Sequence, residues 1–134
     1  MNAIYMTNTN ETNVLANNVI PCYINKKAGG QCVFFALNNS ILILKPGYYE
    51  INATVTVTAP AAGNVTITAQ KNGENITGIT ATETITTADT EYRTLYLHGF
   101  VRVLCHESDS IAITLLNDSD IAIDVTNVSF SIIG

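Results

Sequence analysis

The chain is short of charge. Only 13% of its 134 residues are Asp, Glu, Lys or Arg, against about 25% in an ordinary soluble domain. The six basic residues, Lys26, Lys27, Lys45, Lys71, Arg93 and Arg102, are scattered, and the net charge is −5. Nucleic acid is not an expected partner, because binding its backbone takes clustered positive charge. No apolar run approaches the roughly 18 residues of a membrane-crossing helix, so no membrane partner is expected. The start MNAIYMTNTNETN lacks a basic stretch followed by an apolar one, so no secretory leader is expected.

Chemistry-bearing residues are equally scarce. There are two histidines, His98 and His106, and an enzyme needs a nucleophile or base with an orienting partner. Cys105 and His106 are adjacent and point to opposite faces of an extended strand, which excludes them as a catalytic pair. The expectation is a protein without enzyme activity, catalytic residues, cofactor or bound metal. A threefold histidine cluster at His98 is one metal alternative, and calcium on the oxygen ligands of residues 117–120 with Asp124 is the other. Three cysteines cannot all pair within one chain. They stand either as three buried, reduced thiols or as a Cys22–Cys32 bridge with one thiol left over.

What the chain does have is period-two alternation. From Ile51 to Ala59 the odd positions are apolar and the even ones are Asn or Thr, the pattern of a half-buried strand. Pro60 and Gly63 reverse the chain, and Val65, Ile67 and Ala69 resume the alternation. Asn72-Gly73 is the strongest short-range turn signal. It leads into a Thr-rich strand over 75–85 with a bulge at Gly78. Residues 86–91 are a polar loop, followed by strands over 92–105, 109–116 and 121–133. CVFFAL at 32–37 and ILIL at 41–44 are continuous apolar runs, read as strands buried on both faces. A strand over 19–24 and a loop over 26–30 precede them. Residues 1–13 are an N-terminal arm or edge strand ahead of a single domain at 14–134. No segment has helical spacing, so the fold class is all-β.

The strand over 92–105 carries the most functional information. Leu95, Leu97, Val101 and Val103 share one face, whereas Tyr92, Tyr96, His98 and Phe100 share the other, which a sandwich leaves in water. An exposed aromatic patch marks a contact surface. The last strand has Ile123 and Val125 on one parity and Val128, Phe130 and Ile132 on the other, as if both its faces met a partner. The high apolar content, 47%, points the same way, towards an oligomer. Thr87, Asp89, Asn117, Asp118 and Asp120 lie in polar loops and are candidate ligand contacts. The acidic run 117–120 lacks the glycine and distal glutamate of a helix-loop-helix calcium site and is read as a solvated turn. Seven Asn-x-Ser/Thr triplets are read as a by-product of the Asn- and Thr-rich composition.

Four short stretches in order resemble the jelly-roll domains of the complement globular heads and tumour necrosis factor, with their bacteriophage and spore-surface relatives. They are Pro46, Gly47, Tyr48 and Ile51 in PGYYEI, then Lys71-Asn72-Gly73, then ESDSIAI at 107–113, and the closing VSFSIIG. Glu107 and Ser108 depart from the family by replacing the glycine before Asp109. No collagen-like tract precedes the domain, so a free-standing head is expected rather than a stalked one. The resemblance implies a ten-strand, two-sheet jelly-roll sandwich that forms a homotrimer. The strands matching 47–59, 92–105 and 121–133 would form an inner sheet facing a shared axis, which buries Tyr92, Tyr96, His98, Phe100 and Phe130. With it comes the expected function, a structural virion protein of a bacteriophage that decorates a capsid or heads a fibre. Residues 1–13 would attach it to a capsid or fibre protein. The alternatives are an adhesive module that binds a host surface glycan through its loops, and a bacterial spore or cell-surface protein.

Overall fold

The computed structural model describes residues 2–29, 33–105 and 111–134. Cys32 of the proposed bridge, His106 and residues 107–110 of the ESDSIAI stretch lie outside them. Among the described residues there are eleven strands and no helix: β1 (Ala3–Asn8), β2 (Thr12–Val14), β3 (Tyr23–Ala28), β4 (Phe34–Leu37), β5 (Ser40–Ile43), β6 (Gly47–Thr58), β7 (Gly63–Lys71), β8 (Glu74–Ile85), β9 (Arg93–Val103), β10 (Ile111–Asn117) and β11 (Ile123–Ile133). One sheet has the order β3-β1-β11-β6-β9, with β2 also paired to β11, and the other has the order β4-β5-β10-β7-β8. All pairings are antiparallel. This is the expected two-sheet jelly roll, with eleven strands among the described residues where ten were expected, the short β2 and β4 included.

The alternating strands behave as their pattern dictates. Along β6, Tyr49, Ile51, Ala53, Val55 and Val57 are buried between the sheets, while Asn52, Thr54 and Thr56 face outward. Val65, Ile67 and Ala69 of β7 meet them from the opposite sheet. Asn72 and Gly73 both have positive φ, 51° and 83°, the two left-handed residues of a type I′ hairpin. The slip between β7 and β8 falls where Gly78 was expected to bulge: Thr68 faces Thr80, yet Gln70 faces Asn75. The slip turns Ile79 inward against β9. A side chain at Gly99 would bring its Cβ within 2.5 Å of Ile79 Cγ1, so glycine there lets the two sheets close along the β8/β9 edge.

Three expectations need correction. Residues 3–8 are neither an arm nor an edge strand, because β1 pairs with β11 on one side and β3 on the other. Its Ile4 and Met6 are buried in the core. Lys26, Lys27 and Ala28 lie in β3 rather than in a loop. The runs at 34–37 and 41–44 are buried on one face only: Phe34, Ile41 and Ile43 point inward, whereas Phe35, Leu37 and Leu44 are exposed.

The largest correction concerns β11. Val125 pairs with Val57, but Asn127 pairs with Thr56, so Thr126 is an extra residue on the β11 side. Such a bulge reverses the parity of everything after it. Ile123 and Val125 before it, and Val128, Phe130 and Ile132 after it, therefore all point into the same core. Thr126 Oγ1 donates to the Thr56 carbonyl at 3.2 Å, which ties the bulge to β6.

Candidate functional site: the outer face of β9 and β6

The outer face of the β3-β1-β11-β6-β9 sheet has two zones. Towards β1 and β11 it is polar: Tyr5, Asn52, Thr54, Ser129 and Ser131 surround a shallow hollow of about 90 Å³. The Tyr5 and Ser129 hydroxyls are 2.8 Å apart across it. Towards β9 it is aromatic. Tyr96 is 72% exposed and Phe100 63%, and between them the His98 imidazole stands edge-on to the Phe100 ring with centroids 5.6 Å apart. Tyr92, 56% exposed, extends the row past the start of β9.

The structure brings Tyr96, His98 and Phe100 to one uncovered surface, while Tyr92 is exposed just ahead of β9 and outside the strand. It does not bring Phe130 there. Phe130 has no exposure at all, since the Thr126 bulge turns it inward, and it cannot be an interface residue. Tyr48, 68% exposed, takes its place on the patch. Its ring lies 5.4 Å under the Arg102 guanidinium, a cation–π contact between directly paired strands. The signal for Tyr48 was legible: the β6 alternation, run back from Ile51, puts Tyr49 in and Tyr48 out. Beside it, Pro46, Gly47, Tyr48, Arg102, Val103, Leu104 and Cys105 line a cleft of about 320 Å³.

A histidine–carboxylate contact sits inside the aromatic zone. His98 Nε2 is 3.2 Å from Glu50 Oε2, and Asn52 Nδ2 donates to Glu50 Oε1 at 3.2 Å. Hydrogen bonds from His98 and then Asn52 hold the Glu50 carboxyl below the usual carboxylate range.

The candidate ligand loops lie at the end of the sandwich where β6, β8 and β10 finish. Thr87 and Asp89 are exposed on a loop that Glu91 folds around itself. The Glu91 carboxylate accepts from the Thr86 hydroxyl at 2.7 Å, from the Thr86 and Thr87 amides, and from Arg93 Nε at 3.0 Å. The Thr86 hydroxyl bond above all pulls its pKa from 4.5 to about 2. Asp89 has a positive φ of 66°, and its amide donates to the Ala59 carbonyl at 2.9 Å. Asn117 is not a surface ligand. Its buried amide donates to the carbonyls of Val14, Leu15 and Ile121 at 3.0–3.2 Å, and its Oδ1 accepts from the Ser119 amide. Asp118 accepts from the Thr68 hydroxyl at 3.2 Å, and Asp120 is exposed. Among the described residues no three His, Cys, Asp or Glu side chains are grouped closely enough to hold a metal ion. Cys22 is fully buried, and burial pushes its thiol up to about 12, which leaves it an inert apolar group.

No family model matches the sequence, and no curated protein matches it. Solved structures do match in fold. Murine APRIL, crystallised at pH 5.0, superposes with a TM-score of 0.71 at 11% identity, covering 98% of this chain and 96% of that one. The globular domain of zebrafish complement C1qA gives 0.59 at 9% identity over 98% and 95%. The PRD1 vertex protein P5 gives 0.54 at 17% identity over 99% and 97%. The chain thus shares the two-sheet jelly-roll fold of these structures.

Proposed function

We propose that this chain is a structural, non-enzymatic protein that assembles as a homotrimer through the Tyr96 face and serves on the surface of a bacteriophage virion. The observation that carries the trimer is the row of Tyr48, Tyr96, His98 and Phe100, uncovered on a sheet whose remaining outer positions are mostly Ser, Thr and Asn. Water is a poor neighbour for such a row. Hiding the exposed part of one such ring is worth on the order of 1–2 kcal/mol, and a ring of three copies hides it without open-ended growth. In the family that the chain resembles, this sheet is the one that faces the shared axis.

The virion role is supported by the fold shared with a phage vertex protein across nearly the whole of both chains. It is also supported by the scarcity of catalytic groups. Capsid decoration and a fibre head remain the two forms of this reading. Attachment through residues 1–13 is dropped from it, because β1 is committed to the sheet.

Absolute mass by light scattering tests the assembly. Three times the 14.4 kDa chain mass supports it, and a single chain mass at all concentrations sinks it. Antibody labelling of purified virions against spore and cell-surface fractions of the native host tests the location. A second reading, adhesion to a surface glycan, is favoured by the Glu91-clamped loop, which presents Thr87 and Asp89 in a fixed shape. Glycan-array binding that is lost in Thr87→Ala with Asp89→Ala would establish it.

A further inference from the structure

One contact in the aromatic row has a titratable group on both sides. On the outer face of β6 and β9, Asn52 is paired with His98 and Glu50 with Phe100. The His98 imidazole and the Glu50 carboxylate therefore meet on the diagonal, Nε2 to Oε2 at 3.2 Å. Asn52 Nδ2 donates to the other carboxylate oxygen at 3.2 Å, and the His98 ring is held edge-on to Phe100. The surrounding charges are engaged elsewhere. Arg102, on the other diagonal of Glu50, lies over the Tyr48 ring. Lys71 Nζ donates to the Arg102 carbonyl at 3.0 Å. Tyr96 is the next residue of this face on β9. On β11 the residues paired with Glu50 and Asn52 are Ile133 and Ser131, and beyond them on β1 the Tyr5 hydroxyl is bonded to that of Ser129. On β8, Ile79 lies against Gly99, and Glu74 and Glu83 stand roughly 13 Å or more along that strand from it, at ~3.3 Å per residue.

We infer that assembly takes up protons at this pair: closing the Tyr96 face over Glu50 and His98 converts each His98 to the imidazolium, so the trimer tightens as pH falls below neutrality and loosens as it rises. The inference rests on the homotrimer reading and gives that interface a regulator. In the single chain both side chains reach water, His98 being 55% exposed and Glu50 36%. A solvated carboxylate needs no counter-charge. Covered by another subunit, the same carboxylate is costly unless it meets an opposite charge, and a threefold ring covers three of them at once. The His98 imidazole is already within hydrogen-bond distance, and histidine is the side chain whose charge changes nearest neutral pH. The sign follows from linkage: the assembled state binds more protons than the free chains, so lowering the pH favours it. The gain ends only where Glu50 itself is neutralised. The bonds from His98 and then Asn52 hold that carboxyl below the usual carboxylate range, which keeps the limit well on the acid side.

The test is light scattering of the wild-type chain over a dilution series at about pH 5.5 and about pH 8, at fixed ionic strength. Uptake of one proton per chain moves the midpoint concentration of a trimer by up to ~30-fold per pH unit. We expect it to be at least about tenfold higher at the upper pH. Glu50→Gln removes the charge that has to be neutralised, so it should give a trimer with the same midpoint at both pH values. His98→Asn leaves Glu50 without its cation and should weaken assembly at both, and Glu50→Gln added to it should restore the trimer. A trimeric wild type with equal midpoints, or a pH dependence that survives Glu50→Gln or His98→Asn, overturns the proton linkage alone. A wild type that is monomeric at both pH values and at all concentrations overturns the trimer reading and the linkage with it.

Discussion

Strands β9 and β11 both carry large apolar side chains on both parities, and they dispose of them in opposite ways. β9 runs through eleven residues in unbroken register with β6, so its two parities reach two environments: Leu95, Leu97, Val101 and Val103 the core, Tyr96, His98 and Phe100 the surface. β11 also lies against β6, but the extra Thr126 turns its second half over. Both of its apolar sets then reach the core, and Asn127, Ser129 and Ser131 reach the outside. A two-faced strand and a bulged strand have the same composition. Only the register separates them.

The sharpest way to break this contrast is to insert one alanine between Asn127 and Val128. The second half of β11 then slips by a residue against β6, which puts Ser129 and Ser131 where Phe130 and Ile132 were buried. We expect loss of cooperative thermal unfolding by circular dichroism, whereas deleting Thr126 joins Val125 to Asn127 with both registers kept and should leave the chain folded; an unfolded deletion variant would refute Thr126 as the extra residue. Next in size is Phe130→Ala, which leaves a cavity in the core and should cost about 3–5 kcal/mol in denaturant unfolding. If it cost little but dissociated the trimer, Phe130 would belong to the interface after all.

The corresponding change on β9 should act on assembly and hardly on the chain itself. Tyr96→Asp places a charge on the face proposed to be buried, so the solution mass should fall from three chains to one. The stability of the isolated chain should move by less than about 0.5 kcal/mol. Thr82→Asp, on the outer face of the other sheet, is the control and should leave the mass unchanged. The smallest effect concerns the entry to β9. Glu91 has its folded pKa lowered to about 2 from 4.5, so its hold on the 86–91 loop is complete above 4.5. That hold is lost as pH falls from about 4.5 to about 2. Hydrogen exchange at the Thr86 and Thr87 amides, corrected for intrinsic rates, should quicken across that window, and Glu91→Gln should abolish the step.

The same contrast explains how far the sequence could be read. Strands β6 and β7, the Asn72-Gly73 hairpin, the Gly78 irregularity and the two faces of β9 were legible because each is governed by local rules of alternation or turn geometry. The aromatic patch was legible for the same reason, and Tyr48 could have been added by running the β6 alternation back. Asn117 was misread because a polar run ending a strand looks solvated. Its burial depends on the carbonyls of Val14, Leu15 and Ile121, the first two of which lie about a hundred residues away. The N-terminal residues were misread because Ile4 and Met6 are only two inward positions, too few to establish a period. β3 was misread in part because its lysines describe a loop as well as they describe a guarded edge strand.

What the sequence by itself determined, then, was the all-β class, the sandwich, and an aromatic face that the single chain leaves uncovered. These follow from side-chain periodicity, which a chain carries locally. The tertiary structure alone decided which apolar parity of β11 counts as core and that β1 is interior. Each of those depends on a partner strand distant in sequence, and a register between two strands is not a property that either of them holds alone.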